Sequence, residues 1–297
     1  MNIFILSRSP NLYSTKRLLE SFVRRGHNVR IVDYMRCYIN ISSGKPSLYF
    51  EGRRMNPADA VIARIGASVT TYGATIVRQL EILGYYCVNK SSSIVNSRDK
   101  LKSIQILSKE GIPLPDTGFS SDDKDMEQVI DKIGSVPLIV KLLQGTQGQG
   151  VILAESKKSA KAIMSAFVQL NSDSLVQEFI KESSGVDIRA IVVGDEIVAA
   201  MKRVAPADEF RSNLHQGGHA FPITLTPNEE EIVIKASNIL KLSISGVDFM
   251  RTKNGPLILE VNSSPGLQGI ENCTGIDVAM KMVLFVEQEL KRIKRIN

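Results

Sequence analysis

The first third of the chain alternates between short apolar runs and segments with a helical hydrophobic period. Three runs, IFIL, VRIVD and AVIARI, have the length and composition of strands. Helical patterns cover Thr15–Arg25, which stops at Gly26, and TTYGATIVRQLEILG, which precedes a short strand, YYCVN. Strands that alternate with helices predict a small open α/β sheet, mostly parallel. No GxGxxG motif follows the first strand, so a dinucleotide-binding fold is not expected.

The end of this region carries one charged residue of interest and a change of pattern. Arg64 ends the third predicted strand, where such sheets present ligand groups, although an ordinary surface arginine is the alternative. The stretch NSRDKLKSIQILSKEGIPLPDT then predicts a helix that stops at Gly111 and a proline-containing turn. We expect three domains, at residues 1–96, 97–182 and 183–297.

Lys141 interrupts the apolar strand PLIVKLL, and an unpaired ammonium group inside such a strand would be costly. Its amine therefore either extends to solvent or meets an anion. The next loop contains Gly145, Gly148 and Gly150, whose neighbouring backbone N–H groups are free to bind phosphate oxygens. No Lys-Ser/Thr pair and no helix follow, which excludes a Walker A motif. The pattern predicts a hairpin lid over a nucleotide, with Lys141 at its phosphates; a mobile turn is the alternative for the loop alone.

Polar residues also interrupt the apolar pattern of the strands that follow. In SLVQEFI, the backbone at 177–179 can pair with an adenine edge while Phe179 supplies apolar surface. The segment VDIRAIVVGDEIVAAMKRVA predicts a hairpin, with Asp187 and Arg189 on one face of its first strand and Arg203 on its second.

A long polar loop, DEFRSNLHQGGHAFP, has no hydrophobic period and is of the kind that carries function. Arg211, Ser212 and Asn213 offer a guanidinium fork and further polar groups that suit a phosphate. His215 and His219 have no Cys or HExxH partner, which favours solvated side chains over metal ligands.

The segment GVDFMRTKNGPLILEVNSSPG predicts a hairpin with polar residues inside both strands. Glu260 and Asn262 share one face of the second strand because side chains repeat every two residues. A loop of three residues, 253–255, with a left-handed glycine, would pair Asp248 with Glu260, Val247 with Val261 and Phe249 with Leu259. We adopt this register because it matches polar with polar and apolar with apolar positions, whereas a two-residue Asn-Gly turn would not.

Two carboxylates that face each other across a strand pair repel unless a cation lies between them. All three candidate ligands, Asp248, Glu260 and Asn262, are oxygen donors, which favours Mg²⁺, with Mn²⁺ as a substitute. A solvated acidic strand face is the alternative when the hairpin is considered alone.

Composition narrows the class of protein. The chain has 297 residues, a net charge of +6 and a sequence pI near 9.1, which suits an anionic partner. Three separated cysteines without CxxC spacing argue against zinc or a disulfide framework and favour the cytoplasm. The sequence contains no run of about 18 apolar residues, so a membrane span is not expected. Without tryptophan or interleaved aromatic residues, a direct nucleic-acid function is not expected.

The motifs include no nucleophile triad. They combine oxygen ligands for a metal, lysine and arginine residues within strands, and a glycine-rich loop. This combination predicts an ATP- and Mg²⁺-dependent enzyme without a P-loop. The sequence resembles the RimK-type α-L-glutamate ligases of the ATP-grasp superfamily over essentially the whole chain. Segments that carry the resemblance include VKLLQGTQGQGV, LVQEFIKE, GVDIRAIVVGDE, FRSNLHQGG, GVDFMR and LEVNSSPG. The resemblance implies an α/β ATP-grasp fold, in which an N-terminal α/β domain precedes two subdomains with the nucleotide between them.

The resemblance also implies roles for individual residues. Contacts with ATP phosphates would come from Lys100, Lys141 and the loop 145–150. The adenine would meet Glu178 and Phe179, and the ribose Asp187. The remaining residues implied to act on ATP or the reacting acyl group are Arg189, Arg203, Arg211, Ser212 and Asn213. Two Mg²⁺ ions, or Mn²⁺, would be held by Asp248, Glu260 and Asn262.

In this family a substrate carboxylate attacks the γ-phosphate to give an acyl phosphate, and an amine then displaces phosphate. The resemblance implies L-glutamate as a substrate, the acidic C-terminus of a small-subunit ribosomal protein as the acceptor, and a homo-oligomer, by resemblance a tetramer. Relatives act instead on coenzyme or carrier-protein acceptors. A regulatory ATP-binding protein without catalysis is a further alternative, disfavoured by the intact set of ligand residues.

Overall fold

The computed structural model describes residues 1–143, 150–207, 209–212 and 217–296. The elements up to residue 109 are β1 (Asn2–Leu6), α1 (Tyr13–Arg24), β2 (Asn28–Val32), β3 (Cys37–Asn40), β4 (Ser47–Phe50), β5 (Arg53–Arg54), β6 (Ala60–Ala63), α2 (Thr70–Ile82), α3 (Ser91–Arg98) and α4 (Lys100–Lys109). The next elements are β7 (Thr117–Phe119), α5 (Asp123–Ile133), β8 (Leu138–Leu142), β9 (Val151–Ala154), α6 (Lys157–Gln169) and β10 (Ser174–Glu178). The last are β11 (Val186–Val193), β12 (Glu196–Val204), β13 (His219–Pro222), α7 (Pro227–Ile239), β14 (Ile244–Thr252), β15 (Gly255–Asn262), α8 (Gln268–Thr274) and α9 (Val278–Ile296).

The first strands form the predicted parallel sheet, in the order β2-β1-β6. The predicted strand YYCVN contributes a single parallel bridge between Val61 and Cys87. Strands β3, β4 and β5 form a small antiparallel sheet that the sequence pattern did not predict. Its strands are two to four residues long, too short for a clear alternation of apolar and polar positions.

The rest of the chain forms two antiparallel sheets. We call the sheet β7-β10-β8-β9 the central sheet and the sheet β13-β12-β11-β14-β15 the large sheet. Helices α5 and α6 pack on the central sheet through a buried cluster that includes Met126, Val140 and Met164. Helix α7 packs on the large sheet through Val233 and Ala236, and begins at a Thr226–Glu229 capping box. These mixed α/β layers confirm the predicted fold class.

The hairpin β14–β15 confirms the register predicted for its polar residues and corrects the predicted loop. Asp248 pairs with Glu260 and Val247 with Val261, as expected. Phe249 pairs with Ile258 rather than Leu259, and the turn is Lys253-Asn254, with Gly255 already in the strand at a φ of 114°. A β-bulge at Leu259 adds one residue to β15, which offsets the shorter turn and restores the polar register.

A continuous core joins the parallel sheet to the large sheet. Ile3 and Ile5 belong to the same buried cluster as Ile191 and Val283. At the edge of this cluster the buried Asn89 side chain donates to the carbonyls of Ile244 (2.7 Å) and Ser263 (3.1 Å) and accepts from the N–H groups of Ser243 and Ile244. Within the described residues, no helix has the length and apolarity required to cross a bilayer.

Helix α9 is also held to the N-terminal region by a buried carboxylate. Arg25 donates to both oxygens of Glu287, at 2.9 and 2.8 Å, and His27 Nε2 lies 2.7 Å from Oε1. The hydrogen bonds from Arg25 hold the pKa of Glu287 at about 2, below its ordinary value of 4.5. The charged form is therefore favoured by folding.

This contact predicts a pH-dependent contribution to stability. A carboxyl group whose pKa is lowered by folding stabilises the protein above its unfolded pKa and loses that contribution as pH falls toward the folded pKa. We expect Glu287→Gln to lower the Tm by about 4 °C at neutral pH, because it weakens charge-assisted hydrogen bonds. The difference from the wild type should narrow as pH falls from 4.5 toward 2 in thermal unfolding followed by circular dichroism.

The exposed Glu110→Gln variant is the matched control and should follow the wild type at every pH. A Glu287→Gln deficit that stays constant through the acidic range would contradict the assigned ion pair.

Candidate active site

Cross-strand register brings charged residues together on one face of the large sheet. Asp187 pairs with Arg203 across β11 and β12, and Arg189 pairs with Asp248 across β11 and β14. Asp248 in turn pairs with Glu260 across β14 and β15. Because Asp187 and Arg189 are two residues apart on a strand, all five side chains lie on the same face. We call them the charge network.

Arg203 is the centre of the charge network. It donates to both oxygens of Asp187, at 2.6 and 2.5 Å, and to Oδ2 of Asp248 at 2.8 Å. Arg189 donates to both oxygens of Asp248, at 2.7 and 2.5 Å. Asp187, Arg203 and Asp248 are each no more than 5% exposed. The bidentate geometry satisfies buried charges that would otherwise be strongly unfavourable.

These ion pairs determine the charge state of Asp248. Burial by itself would raise the pKa of Asp248, but Arg189 and Arg203 together hold that pKa well below its usual range. Glu260 differs, because half of its side-chain surface is exposed and its nearest cation, Arg189 Nη2, is 3.9 Å away. The surrounding protein and the Asp248 charge raise the pKa of Glu260. Asp187 and Asp248 each have a guanidinium group at hydrogen-bond distance, whereas Glu260 has none among the described residues.

The donor chemistry around Glu260 fits a hard divalent cation. Asp248 faces Glu260 directly, and Asn262 occupies the next position on the same face, opposite Gly246. The Asn262 amide oxygen accepts from Ser264 N–H at 3.0 Å, which orients it. Within the described ranges, no three His, Cys, Asp or Glu side chains are gathered as a metal site, as expected when one of the three donors is an amide. The metal assignment to Asp248, Glu260 and Asn262 remains a prediction.

Two lysines from different elements meet at the end of β8. Lys141 Nζ donates to Gln177 Oε1 at 2.6 Å, and Lys100, at the start of α4, donates to the carbonyls of Leu142 (2.9 Å) and Leu143 (3.2 Å). Burial lowers the pKa of Lys141 to about 8, and Glu260 opposes that shift. Burial also lowers the pKa of Lys100, again opposed by Glu260. The sequence predicted an anion or solvent for Lys141; the structure provides a neutral amide instead.

A cleft of about 420 Å³ with mixed polar and apolar walls lies beside the ends of β11 and β12 that carry Asp187 and Arg203. Its walls include Leu153 from β9, Val186 and Val204 from the large sheet, and the rings of Phe179 and Phe210. The two rings meet edge to face, with centroids 6.5 Å apart. Phe179 therefore lies where an aromatic base could pack, next to Glu178 at the end of β10, whose N–H donates to Asp116 O at 2.8 Å.

Arg211 and Ser212 lie at the edge of the same cleft. Arg211 forms an ion pair of 2.8 Å with Glu209 and lies over the Phe210 ring, 5.5 Å from its centroid. Ser212 is buried and its hydroxyl hydrogen-bonds the Asp187 carboxylate; burial raises the pKa of Asp187, and this hydrogen bond opposes the shift. Arg211 is thus the more exposed of the two, with 31% of its side-chain surface open.

The predicted nucleotide-binding residues do not all lie in the described ranges. Gly145, Gly148, Asn213 and His215 are outside them. Gly150 is described, has a φ of 73°, and accepts a hydrogen bond from Leu142 N–H at 2.8 Å, which closes the base of the loop. Asp187 and Arg203, predicted to touch ATP or the acyl group, are engaged with each other and nearly inaccessible, so their direct contribution is to position Asp248.

Sequence reasoning missed several polar residues at the site. Gln177, the partner of Lys141, carried a usable signal, because it too interrupts an apolar strand. Glu209, the partner of Arg211, stood in a loop without periodicity and carried none. Arg98 was not singled out, yet Glu260 acts on its pKa.

Arg64 is not the ordinary surface arginine that was the alternative for this position. Its guanidinium is half-buried and Nη2 donates to Pro265 O at 2.5 Å. Burial, and then the Arg98 charge, lower the pKa of Arg64 to about 10, so the group stays protonated at neutral pH. Arg98 donates from Nη2 to Ile65 O at 2.9 Å, while its buried Nε has no hydrogen-bond partner in the described part of the chain.

Comparison with known proteins places this architecture in a family. Residues 1–94 match the RimK PreATP-grasp domain, and residues 97–286 match the RimK-like ATP-grasp domain. A probable alpha-L-glutamate ligase of Nitrosococcus oceani is 51% identical over 292 residues, covering 98% of this chain and 97% of the relative. A protein of the same description from Vibrio cholerae is 51% identical over 288 residues, covering 97% and 96%.

Solved structures share the fold at low sequence identity. An ATP-grasp RimK domain protein from Sphaerobacter thermophilus has a TM-score of 0.71 and 22% identity, covering 96% of this chain and 99% of its own. D-alanine–D-alanine ligase from Bacillus anthracis, complexed with ATP, has a TM-score of 0.69 and 19% identity, covering 99% of each chain. The chain therefore belongs to the RimK-like ATP-grasp family and is an ATP-dependent carboxylate–amine ligase.

Proposed function

We propose that this ligase is an ATP-dependent α-L-glutamate ligase that extends the acidic C-terminus of a protein, with a small-subunit ribosomal protein as the acceptor. One observation carries the proposal. Lys100 begins α4, which packs against β15 of the large sheet, and its ammonium group donates to the carbonyls of Leu142 and Leu143 at the end of β8, the strand that carries Lys141. Both lysines therefore lie on the side of the large sheet that carries Glu260, whose charge favours their protonated forms against burial. Such an arrangement suits a polyphosphate with a bound cation between the two sheets.

The substrate class is inferred from relatives and charge. Two proteins that are 51% identical to this chain over nearly their whole length are described as probable alpha-L-glutamate ligases. The net charge of +6 suits an acidic acceptor, since it favours encounter with a negatively charged peptide. Structures of the same fold include PsnB, an ATP-grasp ligase complexed with its minimal precursor, Mg and ADP.

The proposed reaction has two steps. A carboxylate of the acceptor attacks the γ-phosphate of ATP, which gives an acyl phosphate and ADP. The amine of glutamate then attacks the acyl carbon, loses a proton, and releases inorganic phosphate as the amide forms. No protein nucleophile is required, because positioning and charge neutralisation supply most of the rate enhancement.

The described residues take distinct parts in this scheme. Lys100 and Lys141 neutralise phosphate charge, and Arg211 stabilises the oxyanion that forms at the acyl carbon. Asp248, Glu260 and Asn262 would hold Mg²⁺, which supplies charge neutralisation when bound. Arg189 and Arg203 fix the Asp248 carboxylate, and Phe179 packs against the base.

The overall activity is tested by incubating the protein with ATP, Mg²⁺, L-glutamate and a peptide with an acidic C-terminus. We expect phosphate release that depends on both glutamate and peptide, and a peptide mass that increases by whole glutamate residues. Reactions without glutamate and reactions with an amidated peptide C-terminus are the controls. ATP binding without acceptor-dependent phosphate release would refute the proposal.

Glu260→Gln tests the metal assignment. The amide keeps the size of the side chain but removes the charge, so turnover should fall by at least about 100-fold. The Tm should stay close to that of the wild type, because half of the Glu260 side-chain surface is exposed. Steady-state phosphate release and thermal unfolding measure the two effects.

Glu196→Gln, at the exposed first residue of β12, is the matched control and should retain full activity. An active Glu260→Gln enzyme would show that this carboxylate is not a metal ligand.

Arg203→Met and Arg211→Met separate a positioning residue from one that contacts the reacting groups. Arg203→Met leaves Asp187 without its bidentate partner in a buried site, so we expect a loss of about 3–5 kcal/mol and a Tm lower by about 10 °C. Arg211→Met should change the Tm by less than about 2 °C, because Arg211 is partly exposed, while kcat falls. Thermal unfolding and steady-state kinetics on both variants provide the comparison. An unchanged Tm in Arg203→Met would reject its positioning role.

A further inference from the structure

Arg64 and Arg98 form a pair of neighbouring guanidinium groups, the arginine pair, outside the charge network. Each donates from Nη2 to a backbone carbonyl, Arg64 to Pro265 and Arg98 to Ile65. In the part of the chain that the structure describes, neither forms an ion pair with a carboxylate. The acceptor of Arg98, Ile65 O, belongs to the residue after Arg64, and burial followed by the Arg98 charge lowers the pKa of Arg64.

Such a pair is unfavourable without an anion. Arginine stays charged in proteins and carries five N–H donors, so a neutral carbonyl satisfies only part of it. Arg98 Nε is buried and has no partner within the described ranges. Two half-buried cations without a counter-ion among the described residues reduce stability. Such a cost is typical of a position that serves binding or catalysis.

The location of the arginine pair matches the usual ligand position of an open sheet. Strand β1 lies between β2 and β6. Helix α1 contributes to the cluster on one face of the parallel sheet and α2 to the cluster on the other. The sheet therefore changes winding direction between β1 and β6, and ligands bind at the carboxyl ends of the strands beside such a switch point. Arg64 directly follows β6 at that end.

The arginine pair also adjoins the proposed reaction centre. Arg64 binds the carbonyl of Pro265, three residues beyond Asn262. Ser264, next to it, donates from its hydroxyl to Ala63 O at 3.3 Å, so the loop after β15 lies against the end of β6. Burial lowers the pKa of Arg98, and the Glu260 charge opposes that shift, although the two groups form no ion pair within 4.0 Å in the described ranges. An anion held by both arginines would lie next to the Glu260 end of the charge network.

We propose that the arginine pair binds a carboxylate of a ligase substrate. The proposal rests on the proposed function, which supplies two sources of that group: the carboxylates of glutamate and the acidic tail of the acceptor. A planar guanidinium fork matches a carboxylate in two-point geometry. Phosphate oxygens are already served by Lys100 and Lys141 across the cleft, which leaves the arginine pair to the non-phosphate anion.

Arg64→Gln and Arg98→Gln test the site by steady-state kinetics. We expect the KM for one carboxylate substrate to rise on the order of 10- to 100-fold, the loss typical of a charged hydrogen bond, while kcat and the KM for ATP change by less than about threefold. Arg64→Lys should recover part of the loss. Arg78→Gln removes an exposed arginine of α2 whose side chain bonds Thr75, and should match the wild type.

A rise in the KM for glutamate assigns the site to the amino acid, and a rise in the KM for the peptide assigns it to the acceptor; either supports the proposal. Unchanged KM values for both, or a change confined to ATP, would overturn it. A structural role for the pair would appear instead as a lower Tm and a lower kcat without a KM change, which also overturns it.

A binding measurement without ATP keeps the site testable if the wild type proves unable to ligate glutamate. L-glutamate or the acidic peptide, added to the wild type alone, should raise the Tm through preferential binding to the folded state. That increase should be absent in Arg64→Gln and present in Arg78→Gln. An equal increase in both variants, or none in the wild type, would refute carboxylate binding by the arginine pair.

Discussion

The contact of Arg203 with two carboxylates on two strands is the constraint around which this site is built. Asp187 and Asp248 are buried and would repel each other without the guanidinium between them. Because β11 lies between β12 and β14, a shift of one residue in either pairing would move one partner to the opposite face. The ion pairs and the strand register therefore stabilise each other. The same register places Glu260 opposite Asp248.

Positive and negative groups take separate positions around the site. The large sheet pairs Arg189 and Arg203 with its own carboxylates and presents Glu260 on its edge strand, whereas Lys141 on β8 and Lys100 at the start of α4 meet at the end of the central sheet. A ligand with both a polyphosphate and a cation matches this separation, since the lysines suit the phosphates and the carboxylates suit the cation. The cleft at Phe179 adds a position for an uncharged ring. Members of the RimK-like ATP-grasp family are ligases, and this separation of charge is consistent with that chemistry.

Local periodicity was sufficient for much of this arrangement. Alternation along β15, together with the matching of polar positions, predicted the Asp248–Glu260 pair, and the length of apolar runs predicted the parallel sheet. The bulge at Leu259 was not predictable, because the turn sequence allows several lengths and the choice depends on packing of both strands. The Arg189–Asp248 pairing joins residues far apart in sequence, and no local pattern reports a register between distant strands. The acceptor of Arg64 was not predictable for the same reason, because the carbonyl of Pro265 comes from the other end of the chain.

Asn89 connects the N-terminal region to the strand pair that carries Asp248 and Glu260. Its amide bonds the first residue of β14 and the carbonyl just after β15, so one side chain holds both strands at the end opposite their turn. The shared core around Ile3 and Ile191 strengthens that connection. We therefore expect the parallel sheet and the large sheet to move together. Opening of the cleft to admit or release a nucleotide would then displace the central sheet, and Lys141 with it, relative to Glu260.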